Sequence, residues 1–131
     1  MHPLVARAAA LVGIAEGDPR LPIATSRRPW CAAFASSLLV ALGVLSAPRW
    51  NTRKLFVVLA KLGLGIRHDG ELRPGDLVGW PRSGPDSGHV EIVERVDGDW
   101  LETIGGNVAN GVRRRRRARS RVKWAARPMP G

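Results

Sequence analysis

The sequence predicts an α+β fold, in which helices of the N-terminal half pack on an antiparallel β-sheet formed by the C-terminal half. Before Gly65, apolar residues recur at three- and four-residue steps, as on one face of a helix. After Gly65, turn signals become frequent and short β-type runs lie between them. A length of 131 residues fits one domain spanning residues 1–131, and no apolar run is long enough to cross a membrane.

Three helices are predicted in the first half. The first lies within residues 1–16, and the Pro- and Gly-rich stretch 17–29 that follows it is a predicted loop. The second helix covers 30–43, because Pro29 suits a helix start and Gly43 a C-cap. The third lies between residues 52 and 62. The apolar stripes of the first two helices comprise Leu4, Val5, Ala8, Leu11, Val12 and Ala15, and Phe34, Leu38, Ala41 and Leu42.

Short strands are predicted for most of the second half. They cover residues 76–80, 89–96, 99–104, 111–117 and 121–126. Asp97-Gly98 lies between two of these runs and is a strong signal for a β-hairpin. Consecutive short strands joined by tight turns indicate an antiparallel sheet.

The charge is concentrated at the C-terminal end of the chain. Residues 1–102 carry 12 basic and 11 acidic groups, whereas residues 103–131 carry nine basic groups and no acid. This basic segment, which includes the predicted strands of 112–126, predicts a polyanionic partner or surface. In an extended strand the odd-numbered cations from Arg113 to Lys123 would share one face, and a hairpin turn near 118–120 would divide them between two neighbouring strands.

Cys31 is the first candidate catalytic residue. It lies in the predicted first turn of the second helix, where the helix dipole and unpaired backbone N–H groups favour a thiolate. The nearby Arg27 and Arg28 would act in the same direction. A lone cysteine is commonly only a small buried apolar residue, so its position must be weighed with other residues. One cysteine also excludes an internal disulfide and a cysteine-based zinc site.

His89 and Asn107 complete a possible Cys-His-Asn arrangement. His89 comes 58 residues after Cys31, at the start of a predicted strand behind a Gly-rich loop, where its imidazole could exchange a proton with the thiol. Asn107 comes 18 residues later and could hold the second imidazole nitrogen. An equally acceptable interpretation of Asn107 is a turn residue with positive φ.

The ordered motifs PWCAAF, PGDLVGW, SGHVEIVERVDGDWLETIGGN and WAARP resemble the CHAP and NlpC type of cysteine peptidase-amidase. The resemblance covers about Leu11 to Pro128. It implies a papain-like core, with a nucleophile helix on an antiparallel sheet, and hydrolysis of amide bonds in peptidoglycan. Carried onto this sequence, it implies that Cys31 is the nucleophile, His89 the general base and acid, and Asn107 the residue that orients the histidine.

The sequence departs from the family pattern in two ways. Many CHAP members place a Glu two residues before that Asn, where this chain has Gly105. The third role therefore falls on Asn107 alone or on another group such as Glu91 or Glu102. The chain also contains no Gln and no Tyr, residues that relatives often place near the oxyanion. The backbone N–H of Cys31 remains as a donor, with Trp30 or Ser26 as possible contributors.

We therefore expect a monomeric peptidoglycan hydrolase without a cofactor, held on an anionic cell-wall polymer or lipid surface by Arg113, Arg115 and Arg117. No secretory signal is evident at the N-terminus, so we expect release by a holin or a dedicated secretion route, and action at the cell wall or periplasm. Two alternatives remain open. One is a module that binds nucleic acid or an anionic surface, and the other is an inactive domain of the same fold.

Overall fold

The computed structural model describes residues 1–24, 28–83 and 88–130. Three helices belong to the N-terminal half: α1 (Pro3–Ala9), α2 (Cys31–Ala41) and α3 (Thr52–Lys61). The Asn51 side chain accepts a hydrogen bond from the Lys54 N–H and thereby caps the start of α3. None of the described helices is both long and apolar enough to cross a membrane.

Six strands form one antiparallel sheet in the order β1-β6-β2-β3-β4-β5. Their bounds are β1 (Gly65–Ile66), β2 (Leu77–Pro81), β3 (Gly88–Asp97), β4 (Trp100–Val108), β5 (Gly111–Ala118) and β6 (Trp124–Ala126). The two central pairings, β2 with β3 and β3 with β4, are antiparallel. The predicted α+β fold is therefore confirmed, with helices preceding an antiparallel sheet.

The two faces of the sheet are covered differently. On one face α2 packs across β3 and β4, and the main core contains Val90 and Ile92 together with the buried side chains of α2. A smaller apolar cluster lies on the opposite face and includes Val78, Trp80 and Val93. Because successive residues of a strand point to opposite faces, His89 and Glu91 lie on the side of this second cluster.

The β3–β4 hairpin forms where Asp97-Gly98 predicts it. Asp97 pairs with Trp100, and Gly98 has a φ of 58°, which a glycine adopts without steric cost. The first helix, in contrast, is shorter than its apolar stripe predicts. It ends at Ala9, and residues 13–16 instead run along the edge of β5, where the Gly13 N–H donates to the Val112 carbonyl at 2.8 Å.

The basic segment turns near the predicted place, but its two strands are not neighbours. A 3-10 turn (Arg119–Arg121) follows β5, and β6 then pairs between β1 and β2 on the far side of the sheet. The expectation that a hairpin divides the cations between neighbouring strands is therefore wrong. The physical reason is that residues 13–16 already pair with the outer edge of β5 at its start, and β6 finds its hydrogen-bonding partners on β1 and β2.

Candidate active site

Cys31 is the first residue of α2 and is fully buried. Its sulfur lies 3.6 Å from the Oγ1 of Thr52, the first residue of α3. A Cβ on Gly88 would come within 3.3 Å of the Thr52 Cβ. The starts of α2, α3 and β3 therefore meet in one place, and His89 is the next residue of β3 after Gly88.

Trp30 and Arg28, which precede Cys31 in the chain, each make a side-chain contact. The N-cap residue of α2 is Trp30, which offers no side-chain acceptor to the first turn, and its indole N–H donates to Glu16 Oε1 at 2.6 Å. The guanidinium of Arg28 lies 4.1 Å from the centre of the Trp50 ring. Ser26 was suggested as an oxyanion donor and Arg27 as a charge that favours the thiolate. Both lie outside the described residues.

His89 is buried and held by two neighbours. Its ring packs on Trp80 of β2 with 5.3 Å between ring centroids, and its Nε2 lies 2.7 Å from Glu91 Oε2. Since an ionised carboxylate only accepts hydrogen bonds, Nε2 carries the proton and donates it. Nδ1 is buried and has no hydrogen-bonding partner within the described part of the chain. Glu91 thus selects the tautomer in which Nδ1 is the basic nitrogen.

Glu91 is the centre of a buried network and accepts four hydrogen bonds. Oε1 accepts from the hydroxyl of Thr103 at 2.7 Å and from Nε of Arg117 at 2.9 Å. Oε2 accepts from His89 and from Nη2 of Arg117 at 2.7 Å. Every strong acceptor position of the carboxylate is therefore used, and its orientation is set from three strands.

The ionisation of Glu91 follows from these contacts. Burial by itself would raise the pKa of the carboxyl, because it removes water from the charged form. The hydrogen bonds and charges of Arg117 and His89 outweigh burial and lower the pKa of Glu91 from 4.5 to about 2. The same pair raises the pKa of Arg117. Glu91 is therefore an anion over the whole neutral range, despite having no exposed surface.

Gly105 explains how Glu91 reaches this position. A Cβ on Gly105 would lie 2.8 Å from both Cγ and Oε2 of Glu91, too close for any side chain. Gly105 of β4 has no side chain at the position where the family resemblance implies a Glu, and the Glu91 carboxylate of β3 occupies that space. The alternation of β3 places Glu91 on the same face as His89, which is the sequence signal for this assignment.

Asn107 is not brought to the imidazole. Within the described residues the imidazole nitrogens have Glu91 as their one hydrogen-bonding partner, and Asn107 has a φ of 57° beside the register shift between β4 and β5. The backbone of Asn107 therefore has the positive φ that the alternative interpretation gives it. Glu102, the other carboxylate considered, lies on the opposite face of β4 from Thr103 and pairs with Arg95.

The arginines of β5 differ in their exposure and in their partners. Arg117 is only 20% exposed and is committed to Glu91, so its assignment to an exposed anchoring surface is wrong. The reason is that Arg117 shares a face of the sheet with Glu91, and its long side chain reaches Glu91 on β3 and lies within 5.3 Å of the Trp80 ring on β2. Arg115 is exposed and Arg113 is half-buried, and neither has an acidic partner within the described ranges.

Comparisons with known proteins agree with this architecture. The model of the CHAP domain family matches residues 23–107, the segment that contains Cys31, His89 and Glu91. A search of curated proteins finds no match.

Two solved structures share the fold. The crystal structure of Ly7917 with the hydrolyzing product of MDP has 21% identity and a TM-score of 0.64, and the crystal structure of Ly7917 has 18% identity and a TM-score of 0.58. In both cases 96% of this chain aligns, and it spans 62% of the other chain. The family match covers well over half of the sequence, and the structural matches agree with it. The chain belongs to the CHAP domain family.

Proposed function

We propose that this chain is a peptidoglycan hydrolase that cleaves amide bonds of cell-wall peptides by a thiol mechanism. The observation that carries the proposal is the buried Glu91–His89 pair, which begins one residue after Gly88, the neighbour of the Thr52 that contacts the Cys31 sulfur. An ionised carboxylate that orients an imidazole, which in turn takes the proton of a helix-terminal cysteine, is the arrangement that activates a sulfur nucleophile. The CHAP family match and the Ly7917 structure with the hydrolyzing product of MDP support peptidoglycan as the substrate class.

The reaction is an acyl transfer in two steps. Nδ1 of His89 takes the proton of the Cys31 thiol, and the thiolate attacks the carbonyl carbon of the scissile amide. The negative charge that develops on the carbonyl oxygen is stabilised by the N-terminal end of α2. The imidazolium then protonates the leaving nitrogen, the C–N bond breaks, and a thioester remains on Cys31.

Hydrolysis of the thioester restores the enzyme. His89 accepts a proton from water, the resulting hydroxide attacks the thioester carbonyl, and the C–S bond breaks to give a carboxylic acid and the Cys31 thiol. Throughout both steps the Glu91 carboxylate holds Nε2–H and stabilises the imidazolium. We assign Glu91 this positioning role in place of Asn107, because Glu91 contacts the imidazole at 2.7 Å.

The unpaired arginines of β5 support a second part of the proposal. We propose that the exposed Arg115 and the half-buried Arg113 hold the enzyme on an anionic cell-wall polymer or lipid surface, and that it acts at the cell wall. The attraction is long-range and screened by salt, so it raises the local concentration of enzyme without touching the scissile bond.

The proposal is tested with purified cell walls and three variants. We expect Cys31→Ser and His89→Ala to fold normally and to lose the release of soluble fragments, whereas His68→Ala, in an exposed turn, keeps it. Mass spectrometry of the released muropeptides then identifies the scissile bond and separates endopeptidase from amidase action. Full lysis by Cys31→Ser would refute the thiol mechanism.

A further inference from the structure

A groove opens beside the candidate active site on the face of the sheet that carries His89. It has a volume of about 730 Å³ and lies between the end of β2 and the segment that joins β5 to β6. Its lining residues are Trp80, Pro81, Arg82, Ala118, Ser120, Arg121 and Lys123. Trp80 lines the groove, and its ring also packs on His89 with centroids 5.3 Å apart. The Trp80 ring therefore lies between the groove and the His89 imidazole.

The charge of this groove is uncompensated. Arg82, Arg121 and Lys123 are exposed, and none of them forms an ion pair within the described parts of the chain. Other arginines of the basic segment are neutralised locally, as Arg117 is by Glu91 and Arg127 by Asp76. Three cations that line one cavity, with no carboxylate among its described lining residues, raise the local concentration of anions.

One of the cations, Arg121, is held by its side chain before any ligand binds, and Lys123 is fixed at its backbone. The guanidinium of Arg121 lies 5.5 Å from the centre of the Trp80 ring, a cation–π geometry that restricts a long side chain. The backbone N–H of Lys123 donates to the carbonyl of Gly79 at 2.9 Å, which fixes the base of that side chain against β2. Less side-chain entropy is therefore lost when Arg121 binds a ligand than at a surface arginine without such a contact.

We infer that this groove binds carboxylate groups of an acidic peptide substrate next to the scissile bond. The inference rests on the proposed function and specifies its substrate class. The groove is open to solvent and is lined by the Trp80 ring that packs on His89, so an anionic group of the reacting molecule can enter it beside the imidazole. A long polyanion would instead follow the open row of Arg113 and Arg115 along β5.

The test compares two soluble substrates that differ only in charge. One is a muramoyl tetrapeptide with free carboxylates, and the other is the same molecule with each side-chain and terminal carboxyl converted to a carboxamide. We expect the wild-type protein to prefer the carboxylate form in KM by about fivefold to tenfold, as for a partly exposed charged contact. Arg121→Gln/Lys123→Gln should reduce this preference to about one by raising KM for the carboxylate form alone.

A matched control removes the same charges elsewhere. Arg7→Gln/Lys61→Gln also loses one arginine and one lysine, both exposed and outside the groove, and should keep the wild-type preference. The inference is overturned if the groove variant retains the preference for the carboxylate form or loses both substrates equally. It is also overturned if the variant loses only its sedimentation with cell walls, since the groove would then hold a polymer.

A binding measurement separates this inference from the proposed function. Cys31→Ala protein is titrated with each tetrapeptide by calorimetry, with and without the two groove substitutions. If the wild-type protein cleaves neither tetrapeptide, the proposed function fails for this substrate class. The inference is then decided by binding alone, and equal affinity of the Cys31→Ala protein for the two forms overturns it.

Discussion

Replacement of Glu91 by Gln should change how the stability of the protein depends on pH. The folded state holds the pKa of Glu91 at about 2, against 4.5 for an unperturbed carboxyl. A depressed pKa contributes stability that is fully present above pH 4.5 and is lost as the pH falls through the folded value. At about 1.4 kcal/mol per pKa unit, the contribution of this fully buried group is on the order of 3 kcal/mol.

The assay is urea unfolding followed by tryptophan fluorescence at several pH values between 2 and 6. The wild-type free energy of unfolding should fall by about 3 kcal/mol more than that of Glu91→Gln between pH 5 and pH 2. Glu102→Gln is the matched control, because Glu102 is 38% exposed and solvent screens its pair with Arg95. Parallel pH profiles for wild type and Glu91→Gln would refute the conclusion that the carboxylate is ionised and paired in the folded protein.

Three further predictions follow from the same contacts. Gly105→Ala should lower the free energy of unfolding by about 1–3 kcal/mol in urea titrations, since its Cβ would overlap a carboxylate held by four hydrogen bonds; unchanged stability would contradict the packing described. Glu91→Ala should lower kcat on cell walls by on the order of 100-fold or more, whereas Asn107→Gly, which suits positive φ, should change it less than about threefold. A larger loss of kcat in Asn107→Gly than in Glu91→Ala would assign the orienting role to Asn107 instead. Arg113→Ser/Arg115→Ser should reduce sedimentation with cell walls at low salt but leave cleavage of a soluble muropeptide unchanged. Equal sedimentation of this variant and wild type would remove the anchoring role.

The local elements of this protein were predictable because their signals are local. Pro29 and Gly43 bracket α2, the Asp97-Gly98 turn produces the β3–β4 hairpin, and alternation along β3 places Glu91 on the face of His89. Each of these features depends on residues within a few positions of one another. The two-residue strand β1 escaped prediction because it carries too little pattern and exists only by pairing with β6.

The composition of the active site was only partly predictable. Sequence reasoning located Cys31 at a helix start and His89 at a strand start, and it left three residues open for the orienting role. The choice of Glu91 depends on the absence of a side chain at Gly105 and on donors from Thr103 and Arg117, which are 12 and 26 residues away in the chain. Contacts between residues so far apart in the chain produce no recognisable pattern in the sequence.

By itself, the sequence determined the order of helices and strands, the nucleophile and base candidates, and the basic character of the last strands. Only the tertiary structure decided which arginines are exposed and which carboxylate holds the imidazole. The side chain of Arg117 reaches from β5 to Glu91 on β3, where burying the carboxylate without a cation would be costly. A charge pattern along one strand cannot show this, because the partner of each charge is set by how distant strands pack together.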